Sequence, residues 1–373
     1  MSKYPTVKLG DLCDVNMGQS PSSKSYNTNK NGLPFFQGNA DFGEISPKIK
    51  IYSSAPIKIA NKGDILFSVR APIGAINIAD RKCCIGRGLS ALTPKNTTTH
   101  YLYFLLKAKK ENIQSLGTGS TFKAINKNSL LSLLIPFHPI EEQNRISKKL
   151  NLIECTIHKR KQQLIKLDML AKSRFIEMFG DVGKDEFGWG LKRLDSCCTI
   201  NPKKTSETHL TDSLEVSFCP MQYISEKGDI KTDDLKTYNE VKKGFTYFAE
   251  NDVVFAKITP CMENGKGAIA KNLRNGIGFG STEFHVLRPN QNMITPEWLY
   301  FLMSFQQFRK DAESNMTGSA GQRRVPADFL KKYKVSIPPL SLQYEYKKFL
   351  QQLDKSKFRM KMCLKIMSFI RHL

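Results

Sequence analysis

Two short loops, Gly117 to Lys123 and Thr317 to Arg324, combine small residues with cations: Lys123 in the first, Arg323 and Arg324 in the second. Small residues leave backbone N–H groups accessible, and a nearby cation completes a cradle suited to a phosphate-like anion. Ser120 and Ser319 add hydroxyls to the same loops. Other polar candidates recur in segments punctuated by Gly, Asn and Pro. In the first half they are Gln37, Asn39, Arg70, Arg81, Lys82 and Arg87; in the second they are Lys203, Lys204, Gln222, Tyr223, Lys257 and Lys266. Arg and Lys pair with guanine edges, Asn and Gln with adenine edges, and all of them with backbone phosphates. The competing reading is that the two loops buttress their domains, with Arg324 held in a structural salt bridge.

The charge balance favours the first reading. Lys and Arg total 57 against 34 Asp and Glu, a net charge of +23, which suits a polyanion, nucleic acid first. The alternative is a merely solvated basic surface. No apolar run approaches the roughly 18–20 residues of a membrane span, and Met1-Ser2-Lys3-Tyr4-Pro5 lacks a signal-peptide core. The nine cysteines include the pairs Cys83-Cys84 and Cys197-Cys198 but no CxxC spacing, so reduced, mostly buried thiols in a cytoplasmic protein are expected.

Catalytic constellations are missing. Phe179-Gly180-Asp181-Val182-Gly183 resembles a nucleotide loop but follows a helical stretch, where it serves as a stop. Gly265-Lys266-Gly267 lacks the spacing of a phosphate-binding P-loop. Asp234, Glu240 and Lys242 fit a solvated loop better than a nuclease cluster. The six histidines have no metal-ligand spacing. An adenine methyltransferase needs Asn/Asp-Pro-Pro-aromatic, and the Pro338-Pro339 pair stands between Ile337 and Leu340. On these residues the chain reads as a binder.

What positions them is a duplication. Tyr101-Leu102-Tyr103-Phe104-Leu105 recurs as Trp298-Leu299-Tyr300-Phe301-Leu302, Thr118-Gly119-Ser120 as Thr317-Gly318-Ser319, Ile135-Pro136 as Ile337-Pro338, and Gln143 as Gln343. A period of about 200 residues means two domains, where a short period would mean a solenoid. In each copy a turn feeds a hydrophobic strand, Gly63-Asp64 before Ile65 and Asn251-Asp252 before Val253. β-branched residues and turn chemistry continue to the helices at Tyr101 and Trp298.

Between and after the copies the pattern is helical. From Glu141 to Gly180 there is no proline and no internal glycine. Ile146, Leu150, Ile153, Ile157, Leu164, Leu167, Ala171 and Met178 step by fours and threes, with Arg160 and Arg174 in the gaps, a heptad seam on a helix about 60 Å long. Phe349, Leu353, Ser356, Met360, Cys363, Met367 and Ile370 repeat the stepping in a shorter C-terminal helix. The two helices are expected to pair; the alternative for a basic helix is a membrane surface or a calmodulin-like partner. The expected fold is α+β: two β-rich domains joined by two long antiparallel helices in a coiled-coil spacer, with pseudo-twofold internal duplication. Its parts are residues 1–139, 140–180, 181–340 and 341–373.

Taken in order, Ile135 to Gln143 (Ile-Pro-x-x-Pro-Ile-Glu-Glu-Gln), the long helix closing on Arg174-Phe175-Ile176-Glu177-Met178-Phe179-Gly180-Asp181, the second module, and Ile337 to Gln343 resemble the specificity subunit of Type I restriction-modification systems. The resemblance covers essentially the whole chain and implies two target recognition domains, each reading half of a split sequence in double-stranded DNA, with the helices setting the gap. It also implies no chemistry and no cofactor in this chain. Two methyltransferase subunits would bind it and methylate adenine with S-adenosylmethionine, and restriction subunits, which use ATP and Mg, can join. Two other readings stay open on the residues alone: a self-contained DNA-modifying enzyme, and a basic structural adaptor without DNA specificity.

Overall fold

A turn built by one carboxylate opens the central strand of each module. Asp64 Oδ2 accepts from Asn61 N at 2.7 Å and Asp252 Oδ2 from Ala249 N at 2.8 Å. The preceding residues, Gly63 (φ +94) and Asn251 (φ +70), take the left-handed backbone that favours Gly and Asn. The computed structural model describes residues 4–118, 123–181, 183–204, 210–319 and 321–372, the side chains of 369–372 excepted. Ser120 and the Ile370 side chain lie outside these described residues.

In module one, Leu89–Pro94 pairs antiparallel with Cys13–Met17 on one side and Ile65–Ser68 on the other, and Ile76–Ile78 lies beyond Ile65–Ser68. A second sheet runs in the order Tyr26–Asn27, Ile51–Ser53, Leu33–Phe36, Cys83–Ile85, Ile59–Ala60, with a parallel pair between Leu33–Phe36 and Cys83–Ile85. Module two repeats the first sheet and, among the described residues, four of the five strands of the second. Phe284–Pro289 lies between Cys198–Ile200 and Val253–Ala256, with Gly267–Ile269 beyond. Leu235–Thr237, Glu215–Cys219, Ile277–Gly280 and Thr246–Ala249 follow in order, the middle two parallel. A short antiparallel ribbon completes each module, Thr6–Lys8 with Leu134–Pro136 and Leu191–Arg193 with Lys334–Ser336.

The repeated Tyr/Trp-Leu-Tyr-Phe-Leu run is core. Leu102 and Leu106 are buried with Leu9, Ile65, Phe67 and Ile135; Trp298, Leu299 and Leu302 are buried with Phe255, Val335 and the helix residues Phe175, Phe179 and Tyr346. Thr98 and Thr295 cap these helices by accepting from Tyr101 N and Trp298 N.

The two long helices span Ile140–Phe179 and Leu340–His372, 40 and 33 residues. Gly180 (φ +63) ends the first, its N–H donating to Ile176 O at 2.8 Å. The repeated glutamines explain themselves here, both being fully buried where helix meets module. Gln143 accepts from Thr97 Oγ1 (2.8 Å) and donates to His138 O (2.9 Å). Gln343 accepts from Thr295 N (2.8 Å) and donates to Met293 O (3.0 Å) and Pro338 O (2.8 Å).

Residue contacts divide the chain into two units, 1–161 with 362–373, and 162–361, so the division falls within both long helices. In the first unit Leu150 packs on the module core, Lys107 pairs with Glu154 at 2.9 Å, and Glu44 pairs with His158. In the second, Asp168 pairs with Lys357 (2.8 Å) and Arg174 with Glu345 (3.2 Å), and Tyr346 Oη donates to Ala171 O (2.9 Å). Rising numbers on one helix therefore meet falling numbers on the other within that unit.

Ile146, Leu150, Ile153 and Ile157 in the first unit, and Leu164, Leu167, Ala171 and Met178 in the second, are buried or half-buried. The same holds for Phe349, Leu353 and Met360, and for Met367 in the first unit. Ser356 departs from the expected stepping: it is exposed, and half-buried Lys357 turns inward to Asp168. Buried Tyr346 begins the C-terminal seam one step before Phe349.

Candidate nucleic-acid interface

In module one a continuous line of backbone hydrogen bonds leads from one candidate side chain to the next. Gly86 N donates to Phe36 O (2.8 Å), beside Gln37, and Val69 N donates to Gly88 O (3.0 Å). Ile125 N donates to Val69 O (3.0 Å) and Ala71 N to Lys123 O (3.1 Å), while Thr118 and Ala124 exchange two bonds of 2.9 Å. Gln37, Arg87, Arg70 and Lys123 thus stand along one backbone seam, all exposed and, among the described residues, without a side-chain hydrogen bond or ion pair. Gly88 makes the close approach feasible: a Cβ there would sit 2.4 Å from Gln37 O. Asn39 opens the 3-10 turn just after Gln37, a turn held by Asp41 Oδ2 accepting from Gln37 N at 2.9 Å. An array of unpaired cations and an amide on rigid backbone can bind phosphate and reach base edges.

Arg81 and Lys82 are not part of it. They precede Cys83–Ile85, at the end of that strand remote from Gly86, and Arg81 is committed to Asp80 through two bonds of 3.1 and 2.8 Å. The Arg81 guanidinium holds the Asp80 carboxyl below the usual carboxylate range.

Module two carries the equivalent seam with different occupants. Lys257 N donates to Glu283 O (2.9 Å), Val325 N to Lys257 O (2.9 Å) and Thr259 N to Arg323 O (3.1 Å), while Thr317 and Arg324 exchange two bonds. Lys257 therefore stands where Val69 does, Arg323 where Lys123 does, Arg324 where Ala124 does, and Glu283 where Gly88 does. Arg324 grips Glu283 through two bonds of 2.9 and 2.8 Å, so the salt bridge weighed in the sequence is present. Arg324 in turn holds the Glu283 carboxyl below its ordinary value. Arg323 lies 4.0 Å from Glu313, and Ser319 is exposed in the same loop, its O accepting from Gln322 N.

The remaining candidates in module two are split. Lys266 Nζ donates to Met221 O (3.2 Å), which brings it to the 3-10 turn of Gln222 and Tyr223; Gln222 is exposed, and Lys231 lies 4.8 Å over the Tyr223 ring. Lys204 covers the Tyr238 ring at 4.2 Å, and Lys203 beside it is exposed.

Three features escaped the sequence reading. Glu283 tempers the seam. His285 braces it: buried, it donates from Nε2 to Val325 O (2.7 Å) and meets the Asn201 amide at Nδ1 (3.0 Å), and burial lowers its pKa from the ordinary value. Asp252, almost fully buried, is held by Arg288 through two bonds of 2.8 Å. None of these pairings has a local signature, because the partners lie tens of residues apart, although Asp252 itself stands at the turn read from the sequence.

The groups that could have suggested catalysis have structural work. Glu240 caps the turn at Thr237 N (2.8 Å). Gly265 (φ +84) is pinned by Arg309, which donates to its carbonyl at 3.2 Å; a Cβ on Gly265 would lie 1.6 Å from that guanidinium. Burial pushes the thiols of Cys13, Cys83 and Cys219 up to about 12, so they stay protonated. Among the described residues no group of three or more His, Cys, Asp or Glu side chains is placed to hold a metal ion, and no helix is long and apolar enough to cross a membrane.

Comparison with known proteins gives this geometry a lineage. The Type I restriction enzyme EcoAI specificity subunit of Escherichia coli is 45% identical over 157 residues, 42% of this chain and 26% of that one. The Type I restriction enzyme MjaIX specificity subunit of Methanocaldococcus jannaschii is 24% identical over 94% of this chain and 86% of that one. The chain thus spans 26% of the length of the first and most of the second. The crystal structure of the Type-I restriction-modification system S subunit from M. genitalium aligns with a TM-score of 0.60 over 99% of this chain and 94% of that one, at 17% identity, a likeness of fold alone. Residues 1–167 and 187–362 each match the family model of the Type I restriction modification DNA specificity domain, once per module, and the chain belongs to that family.

Proposed function

We propose that this chain is the non-catalytic DNA-specificity subunit of a Type I restriction-modification complex, in which each module reads one half of a bipartite target in double-stranded DNA. Residues 1–139 and 181–340 are the two recognition domains, and 140–180 and 341–373 form an antiparallel coiled-coil spacer that relates them by a pseudo-twofold axis. The observation that carries the reading is the double family match, one match over each seam-bearing module. The inward seam positions of both helices support the spacer. The apolar side chains left exposed on the helices, Leu152, Ile165, Met169 and Phe358, support docking of methyltransferase subunits. Those subunits would supply S-adenosylmethionine chemistry, and restriction subunits, where present, would use ATP and Mg.

The test is to incubate the purified chain with labelled S-adenosylmethionine and DNA, with and without an adenine methyltransferase partner. The expected result is salt-sensitive DNA binding by the chain, and adenine methylation only with the partner. Methylation by the chain alone would make it an enzyme; no DNA binding in either case would make it an adaptor. Adding one helical turn to each long helix should move a module by about 5.4 Å, between one and two base-pair rises, and alter the gap between half-sites while leaving their letters unchanged.

A further inference from the structure

Where the central helix ends, module two leaves a cavity of about 230 Å³ that has no part in the nucleic-acid seam. Ile176, Phe305 and Tyr333 give its accessible apolar lining, over the buried Phe175, Leu302 and Phe308, and Asp181 and Glu186 stand at its edge. The volume is below that of an ordinary small-ligand pocket and suits a single large side chain. Apolar surface continues outside it: Ile176 is 53% exposed, and Phe187, 51% exposed, stacks on Trp189 at 4.9 Å.

The electrostatics here oppose those of the rest of the chain. The molecule carries a net +23, yet no Lys or Arg lines this cavity and two carboxylates do. Lys184 reaches Asp181 from outside at 3.1 Å, while Glu186 has no ion pair among the described residues. The site also lies at Gly180, the C-terminal end of a 40-residue helix, where the helix dipole presents its negative pole. An apolar hole beside two carboxylates and a helix C-terminus fits an apolar group with a cation next to it. An exposed apolar patch of this kind marks a protein contact, with a buried anchor residue at its centre.

We propose that this cavity is a protein-docking site, taking a segment of a partner that presents an aromatic or large aliphatic side chain next to Lys or Arg. The side chain fills the hole against Ile176, Phe305 and Tyr333, and the cation sits between Asp181, Glu186 and the helix end.

The test uses the full chain with its Leu and Ile methyl groups labelled for NMR, titrated with three blocked peptides: acetyl-Gly-Phe-Arg-Gly-amide, acetyl-Gly-Phe-Glu-Gly-amide and acetyl-Gly-Ala-Arg-Gly-amide. The first should shift the Leu302 and Ile176 methyl signals, and each control should bind about tenfold more weakly, one for want of charge and one for want of buried apolar area. In a D181N/E186Q variant the preference for Arg over Glu should vanish while that for Phe over Ala survives. A Phe305→Ala variant, which removes half-buried apolar lining, should lose most of the Phe preference. If the three peptides bind alike, if none shifts these methyls, or if D181N/E186Q keeps the full charge preference, the proposal is wrong. Because no readout involves DNA, its failure leaves the DNA-specificity reading untouched.

Discussion

At matching points of the two seams, Gly88 and Ala124 in module one answer to Glu283 and Arg324 in module two. In the first module a side chain at position 88 would collide with Gln37 O; in the second, the side chain at 283 holds a guanidinium by two bonds. At these points one backbone frame carries no side-chain charge in one copy and a neutralised ion pair in the other. The difference teaches that the frame and the side-chain chemistry it carries vary separately: backbone bonds fix where side chains stand, and the occupants decide what is offered.

The largest stability contrast is expected at the turn carboxylates. Asp252→Ala removes a buried acid and strands Arg288, costing about 3–5 kcal/mol, whereas Asp64→Ala loses a turn bond with no arginine on it and costs about 1–3 kcal/mol. Hydrogen exchange in each module would measure both, and equal costs would break the comparison. Next, Arg70→Ala, Arg87→Ala and Lys123→Ala combined should weaken the salt dependence of DNA binding by about 0.9 in log–log slope per cation, and Arg324→Ala by less than one cation's worth.

Position 88 against position 283 should differ in kind. Gly88→Ala forces Gln37 to move and costs about 1–3 kcal/mol. Glu283→Ala costs under about 1 kcal/mol, the bridge being partly exposed, and frees Arg324 so that the slope steepens by about 0.9. A flatter slope in that variant would mean Glu283 aids binding.

The smallest effect is a pH response confined to module two. His285 is buried, with Lys257 and Glu283 nearby, and its folded pKa is lowered, so the unfolded chain takes up the proton first. Stability is therefore full above the ordinary histidine value, near 6.5, and falls as pH drops below it. Module one has Ser90 at the matching place. The protection factor of the Val325 amide, corrected for the intrinsic exchange rate at each pH, should fall between pH 7 and 5.5 while that of Ile125 holds steady; parallel changes would remove His285 as the cause.

Much of this was legible in the residues. The turn dipeptides, the core runs, the glutamines at the helix starts and most of the heptad stepping all have local or regular signatures, and the structure places them as such. What the sequence hid was pairing at a distance. Arg324 looked like a ready phosphate ligand and is tied to Glu283, while Lys204 covers Tyr238. Arg81 was hidden differently: its partner is adjacent, but it precedes the strand Cys83–Ile85, at the end opposite Gly86 and Arg87. Tyr346 was missed because its hydroxyl bonds a backbone carbonyl on the other helix, a contact no spacing rule encodes.

The most direct test is to co-express the chain with an adenine methyltransferase partner and map methylated adenines, then repeat with Arg70→Ala/Arg87→Ala in module one. The account predicts a bipartite motif with a fixed gap, in which the substitutions relax one half and spare the other. A single undivided motif, or one whose two halves relax together, would contradict it.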